Sequence, residues 1–285
     1  MASVREMRRR IGSVKSISKI TNAMKMVAAA RLRKAQDAIM AARPYAIRIT
    51  EVLGDIVARS DVSSAPLLQQ SGGDTILVVL ITADKGLCGG FNSNVFRDLT
   101  KFLKDRDATK IEFIAVGKKG RDFLKRRGFT IRESMIDAFK DLKFSDAQKI
   151  RDLIVDPYLD GQVGEVYIIN NEFKSTATQE VVTRQVLPVQ SDELDASQNP
   201  ADFEYEPSAV DVFSELLPEY FAVGIWRALL ESYSAELAAR MVAMDAATSN
   251  AKDMIDQLTL VSNRLRQASI TQEIAEIVGG AEAQK

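Results

Sequence analysis

Two long stretches at the ends of the chain carry apolar residues at helical spacing. In residues 4–57 the apolar positions recur every three or four residues, and the same spacing fills residues 219–278. This pattern is typical of a helix with one apolar stripe. Pro44 interrupts the first stretch without changing its phase, so we predict one kinked helix there rather than two. Gly279 and Gly280 are expected to end the second helix.

Helices of this length would extend about 80 and 90 Å at about 1.5 Å per residue. A single domain built from a chain of 285 residues cannot wrap both of them. The simplest arrangement that buries both stripes is an antiparallel two-stranded coiled coil. The stripe is weak, because alanines and polar side chains such as Arg31, Thr248 and Ser262 interrupt it. We therefore expect the paired helices to be stabilised inside a larger assembly.

The middle of the chain has the pattern of a small α/β domain. Strands are predicted at residues 75–82, 111–116, 165–170 and 178–187, and helices at residues 91–104, 118–127 and 145–159. Ser145 is the expected N-cap of the last of these helices, and Pro188 indicates that the last strand lies at or near a sheet edge. This order favours a mostly parallel, Rossmann-like sheet with helices on its faces. The predicted fold class is α/β, and its parts are residues 1–58 (first long helix), 74–190 (α/β domain) and 208–285 (second long helix).

Charge is distributed unevenly along the chain. The chain has 38 basic and 39 acidic side chains, yet residues 1–36 contain ten basic side chains and one acid, Glu6. That segment has a net charge of +9, so the other 249 residues sum to −10. Such asymmetry indicates an acidic partner at this end. An acidic protein surface fits better than nucleic acid, because the segment has no aromatic residue to stack on bases. The sequence contains no run of about 18 apolar residues, so it predicts no membrane span.

The chain contains no histidine and a single cysteine, Cys88. Without histidine there is no Ser-His-Asp triad, no Cys-His pair and no imidazole metal ligand. One cysteine cannot form an intrachain disulfide or a thiolate zinc cluster. We therefore expect no catalytic residue, no metal and no cofactor in this chain.

A glycine-rich turn, TADKGLCGGFN at residues 82–92, follows the first predicted strand. Phosphate-binding loops lie between a strand and a helix, but this spacing matches neither G-x-x-x-x-G-K-[ST] nor G-x-G-x-x-G. Gly117, Lys118 and Lys119 stand where a dinucleotide fold would have an acid for the ribose. Two alternatives stay open: a nucleotide- or phosphate-binding protein that uses this turn, and a basic-helix nucleic-acid binder. Saturable nucleotide binding or steeply salt-dependent DNA binding would identify them.

Five segments resemble the gamma subunit of F-type ATP synthases. They are ITNAMKMVAAARLRKAQ (20–36), ARPYA (42–46), DKGLCGGFN (84–92), ARMVAMDAATSNA (239–251) and RQASITQEIAEIVGGA (266–281). The resemblance covers the whole chain and its order of helix, α/β domain and helix. It implies a central-stalk rotor that couples proton-driven rotation of a membrane c-ring to conformational cycling of catalytic beta subunits. The implied partners are three alpha and three beta subunits, an epsilon subunit and the c-ring, and the chain is not an enzyme by itself.

The resemblance also implies which residues meet those partners. Contacts with beta subunits are expected at Met24, Lys25, Arg31, Arg33, Lys34, Arg266, Gln267 and Thr271. The expected hydrophobic bearing is formed by Ile270, Ile274, Ile277 and Val278, and the α/β-domain turn contributes Lys85, Gly86, Cys88, Gly89 and Gly90. The chloroplast branch has a regulatory cysteine pair, so a chain with one cysteine is not expected to switch by thiol oxidation. The start at Met1 favours the cytoplasmic face of a bacterial inner membrane, with the mitochondrial inner membrane as the alternative.

Overall fold

The computed structural model describes residues 4–59, 65–104, 106–107, 110–189, 205–206 and 208–282. The chain divides into two compact units. The terminal unit comprises Met1–Ala28 and Met241–Lys285, and the domain unit comprises Ala29–Arg240.

The helices and strands alternate in the middle of the chain between two long terminal helices. In chain order they are α1 (Val4–Arg59), β1 (Thr75–Ile81), α2 (Phe91–Phe102), β2 (Ile111–Val116), α3 (Lys118–Arg126), β3 (Thr130–Met135), a single 3-10 turn (Ala138–Lys140), α4 (Phe144–Leu159), β4 (Val163–Phe173), β5 (Gln179–Leu187) and α5 (Ala209–Glu282). This order confirms the predicted fold class of two long terminal helices with an α/β domain between them.

The ends of the long helices differ in detail from the sequence prediction. Helix α1 is continuous across Pro44, as predicted. Helix α5 begins at Ala209, ahead of the apolar stripe at residues 219–278, and it contains Pro218. The predicted stop at Gly279 and Gly280 is wrong, because α5 continues through both glycines to Glu282. A glycine costs about 1 kcal/mol in a helix, and the glycine that commonly follows a helix end has a positive φ, which neither of these glycines has.

In the terminal unit, α1 and α5 run antiparallel. The hydroxyl oxygens of Thr21 and Thr248 are 2.7 Å apart, and Lys25 Nζ donates to Asp245 Oδ1 at 2.6 Å. Rising residue numbers in one helix therefore meet falling numbers in the other. The weak stripe expected from the sequence is present, because the buried positions are mostly small or polar. They are Met7, Thr21, Ala28, Met244, Thr248, Ala251 and Ser262.

The domain unit is built on one five-stranded sheet with the strand order β3-β2-β1-β4-β5. The first four strands are parallel, and β5 pairs antiparallel with β4 at the edge. Strand β5 agrees with the predicted edge strand. Strand β3 was not predicted, because its sequence TIRESM has no apolar run and none of its side chains is fully buried. The predicted N-cap at Ser145 is also wrong: α4 begins at Phe144, and the N–H of Lys143 donates to Asp146 Oδ2 at 2.9 Å.

Both faces of the sheet are covered by helices. Strand β1 shows why, since Leu77, Val79 and Ile81 belong to one buried cluster while Val78 and Leu80 belong to another. The first cluster includes residues of α1, α4 and α5, and the second includes residues of α2 and α3. A strand buried on both faces has the continuous apolar sequence that predicted it. Within the described residues, no helix is long and apolar enough to cross a membrane.

Candidate partner-binding surfaces

Within the described residues, the C-terminal part of α5 has no neighbouring helix and presents an exposed apolar face. The Thr21–Thr248 contact sets the register, which places Val4, the first described residue of α1, opposite Leu265. Every side chain from Arg266 to Ala281 is exposed. Four apolar side chains lie on one face at helical spacing and are 48%, 56%, 72% and 57% exposed. They are Ile270, Ile274, Ile277 and Val278.

This exposed end contains the predicted C-terminal contacts. Arg266, Gln267 and Thr271 lie on it beside the four apolar residues, and all three side chains are exposed. The Thr271 hydroxyl donates to the carbonyl of Gln267 in its own helix at 3.0 Å. An apolar helix face that the described part of its own chain leaves uncovered is typical of a protein-binding surface. The predicted bearing residues and the predicted contact residues thus share one surface.

The predicted contacts on α1 divide between the two units. Met24 and Lys25 are half-buried in the terminal unit, where the Lys25 ammonium pairs with Asp245 of the same chain. Arg31, Arg33 and Lys34 are exposed on α1 in the domain unit. Arg31 also interacts with Tyr233 of its own chain. Burial raises the pKa of the Tyr233 hydroxyl, and the positive charge of Arg31 partly offsets this rise.

The glycine-rich turn uses its polar groups within its own fold. Asp84 Oδ1 accepts from the backbone N–H of Lys118 at 2.9 Å and from that of Asp137 at 3.0 Å. A carboxylate therefore already occupies the N-terminus of α3, where an anion would otherwise be favoured. Lys85, Gly86, Gly89 and Gly90 are exposed along the turn. The arrangement does not form a cradle for a phosphate.

Cys88 is buried beneath the turn and has a structural contact with α5. It packs with Ala83 and Phe91 against Ala235 and Ala239. Asn92 closes the turn: its Oδ1 accepts from the N–H of Ala83 at 3.0 Å, and its Nδ2 donates to Cys88 Sγ at 3.4 Å. Burial raises the pKa of the Cys88 thiol, and the nearby Glu236 adds to this shift. A buried, protonated thiol is a poor nucleophile.

Two features of this region were not predicted from the sequence. Leu87 adopts a left-handed backbone with φ of 63° and is 65% exposed, so the turn presents a bulky apolar side chain to solvent. On α5, Glu236 and Arg240 form a largely buried ion pair. Burial raises the pKa of Glu236, and the opposing charges of Arg240 and Arg31 reduce the shift. The four-residue spacing of Glu236 and Arg240 in a helix was the available signal for this pair.

Comparisons with known proteins extend over nearly the whole chain. Residues 3–284 match the ATP synthase family. The chain is 47% identical over 283 residues to the ATP synthase gamma chain of Desulforamulus reducens, with 99% of both chains covered. It is 45% identical over 291 residues to the ATP synthase gamma chain of an Anaeromyxobacter strain, with full coverage of both. These matches support neither the nucleotide-binding nor the nucleic-acid-binding alternative.

Solved structures share the fold. A chain from the central stalk and c-ring of the Tetrahymena thermophila mitochondrial ATP synthase matches with a TM-score of 0.60 and 27% identity, covering 80% of this chain and 99% of the other. A chain from the Euglena gracilis mitochondrial ATP synthase, from the part containing OSCP, F1 and the c-ring, matches with a TM-score of 0.70. That match has 20% identity and covers 99% of this chain and 94% of the other, so it is evidence for the fold alone.

Proposed function

The chain belongs to the ATP synthase gamma-chain family, and on that premise we propose that it is the central-stalk rotor of a proton-translocating F-type ATP synthase. In this role it couples rotation of a membrane c-ring to conformational cycling of catalytic beta subunits. The observation that carries the proposal is the isolated end of α5. Its apolar face, residues 270–278, is uncovered by the described part of the chain and suits a hydrophobic bearing formed by a surrounding ring.

The chain contributes length, stiffness and asymmetry rather than catalytic groups. An antiparallel helix pair in which one helix extends beyond the other has unequal sides, so its rotation presents a different surface to each neighbour in turn. The glycine-rich turn supports this non-catalytic role, because Asp84 caps α3 and Cys88 is buried against α5. ATP is then made on the beta subunits and not on this chain.

The proposed partners follow the family. Three alpha and three beta subunits form the ring around the helix pair, and the α/β domain, residues 74–190, binds an epsilon subunit and the c-ring. Beta subunits contact the predicted positions within residues 1–58 and 208–285. We place the chain at the cytoplasmic face of a bacterial inner membrane as a peripheral subunit.

The predicted beta contacts on α1 include cations with different environments. Lys25 has a carboxylate partner in its own chain at 2.6 Å, whereas Arg33 and Lys34 are exposed. Arg33 and Lys34 are therefore the better candidates for acidic loops of beta subunits. On α5, Arg266, Gln267 and Thr271 are available for polar contacts next to the bearing.

A reversible cross-link tests this function in the assembled complex. In a Cys88→Ala background, Ala23→Cys places a thiol on an exposed position beside Met24, and a second cysteine is placed in the facing loop of a beta subunit. Oxidation should stop ATP hydrolysis and reduction should restore it. A complex that carries only the Ala23→Cys substitution is the matched control and should be insensitive to oxidation. Full hydrolysis by the cross-linked complex would contradict the rotor proposal.

A further inference from the structure

A groove of about 640 Å³ lies between α1 and α5 within the domain unit. Ile39 and Ala46 line it from α1, and Val223, Trp226 and Leu230 line it from α5. Small-molecule sites are typically clefts of about 300–1,000 Å³ with mostly apolar walls and few polar groups. The groove has this size and this composition, and it is separate from the turn and from the exposed end of α5.

Two arginines and two glutamates line the rim of the groove, and only Arg227 and Glu231 among them pair with each other. Glu51 accepts from Arg48 at 2.8 Å, and Glu231 accepts from Arg227 at 2.7 Å, so both carboxylates of the rim are neutralised. Arg43 also lines the groove and is exposed. Among the described residues no carboxylate lies within 4 Å of its guanidinium. Among the described residues, Arg43 is therefore the one unpaired cation at the rim, next to the apolar side chains that line the groove.

We propose that this groove binds a free amphiphilic monoanion, a single-chain carboxylate whose head pairs with Arg43 and whose apolar body lies along Trp226. The planar guanidinium matches a carboxylate through two parallel hydrogen bonds. A cationic amphiphile has no free carboxylate to meet, because Arg48 and Arg227 already hold Glu51 and Glu231. The groove lies between two helices and accommodates one chain rather than a bilayer surface.

Trp226 makes the proposal directly measurable. It is the single tryptophan of the chain and it lines the groove, so the intrinsic fluorescence of the full chain reports on this site alone. Decanoate is the probe, with uncharged decanol and cationic decylammonium as matched ligands of equal chain length. Decanoate should shift the emission of Trp226 saturably toward shorter wavelength, and both other ligands should bind at least about tenfold more weakly.

Three variants separate the roles of head and body. Arg43→Gln should weaken decanoate binding by about tenfold, while Lys19→Gln, which removes an exposed cation of the same helix that does not line the groove, should change it by less than about twofold. Ala46→Phe should fill the groove and abolish the response. Circular dichroism on each variant reports whether α1 and α5 stay folded, and the ligand comparison in the unmodified chain tests the proposal even if a variant misfolds.

Other outcomes would overturn the proposal. Equal binding of decanol and decanoate, or an unchanged affinity in Arg43→Gln, would remove the role of the charge. A non-saturating response would mean that no defined site exists. An equal shift with phosphatidylglycerol vesicles would assign the groove to membrane lipid instead of a free carboxylate. None of these measurements depends on rotation, so failure here leaves the rotor proposal untouched.

Discussion

The hydroxyl oxygens of Thr21 and Thr248 lie 2.7 Å apart inside the contact between α1 and α5. Both residues are buried, at 9% and 7% exposure. Each hydroxyl also lies near a carbonyl of its own helix, that of Ser18 at 3.1 Å and that of Met244 at 2.7 Å. The contact between the two hydroxyls forms in one register only, because a slip would separate these side chains while each kept the carbonyl of its own helix. The pair therefore favours this alignment of the two helices.

Removing one hydroxyl of this pair should loosen both helices locally. We expect Thr21→Val or Thr248→Val to lower the local free energy of opening by about 1 kcal/mol, which speeds hydrogen exchange of the surrounding amides about fivefold. The double variant should cost less than the two single variants together, since either single change already removes the hydrogen bond that the two hydroxyls share. Ser16→Ala, an exposed site bonded only to its own helix, is the control. Strict additivity would mean that the two hydroxyls are not coupled.

Neutralising Lys25 should leave catalysis by the assembled complex largely intact. The Lys25 and Asp245 side chains are 38% and 62% exposed, and exposed ion pairs contribute about 0–1 kcal/mol. We therefore expect torque to pass mainly through packing and shape. Lys25→Gln and Asp245→Asn should each change the ATP turnover rate by less than about twofold. A tenfold loss in Lys25→Gln, with Asp245→Asn unaffected, would instead assign Lys25 an essential contact outside this chain.

Two glycines that both have a positive φ should differ sharply in their tolerance of alanine. Gly117 has a φ of 94°, and a Cβ there would lie 2.1 Å from the carbonyl oxygen of Thr82. Gly128 has a φ of 75° and no atom within 4 Å of the same position. Gly117→Ala should destabilise the chain by at least about 3 kcal/mol, and Gly128→Ala by about 1–2 kcal/mol. Urea unfolding followed by circular dichroism compares them. Equal losses would show that backbone strain alone matters.

The buried Glu236 should make stability depend on pH in a defined direction. Burial raises its pKa above the ordinary value of 4.5. The folded chain then holds this proton more tightly than the unfolded chain, so the contribution is fully present below pH 4.5 and is lost as the pH rises through the raised pKa. The free energy of unfolding of the wild type minus that of Glu236→Gln should therefore fall as the pH rises above 4.5. Thermal midpoints measured across this range test the sign, and a difference that grows would contradict it.

The sequence predicted the elements whose patterns are strong. The apolar run of β1 and the helical spacing around Pro44 were sufficient, because burial on two faces and an amphipathic helix both leave direct periodic signals. Strand β3 left none, since an edge strand with half-exposed side chains needs no apolar run. Gly279 and Gly280 misled the prediction because glycine permits a helix end without requiring one.

The candidate surfaces were only partly visible in the sequence. Ile270 and Ile274 could be assigned to one face from their spacing alone. The pairing of Lys25 with Asp245 could not, because it depends on the register of two helices that are 220 residues apart in sequence. Similarly, nothing in the turn sequence shows that the Asp84 carboxylate reaches the first N–H of α3. Such contacts follow from the fold and not from local patterns.

The central claim, that this chain rotates inside a ring of alpha and beta subunits, can be tested by watching single complexes. In a Cys88→Ala background, Ser93→Cys introduces a thiol at an exposed position of α2, to which a bead is attached while the ring is fixed to a surface. On addition of ATP, the bead should turn continuously in one direction at a rate that follows the rate of hydrolysis. A bead that stays at a fixed angle while the same complexes hydrolyse ATP would contradict the account.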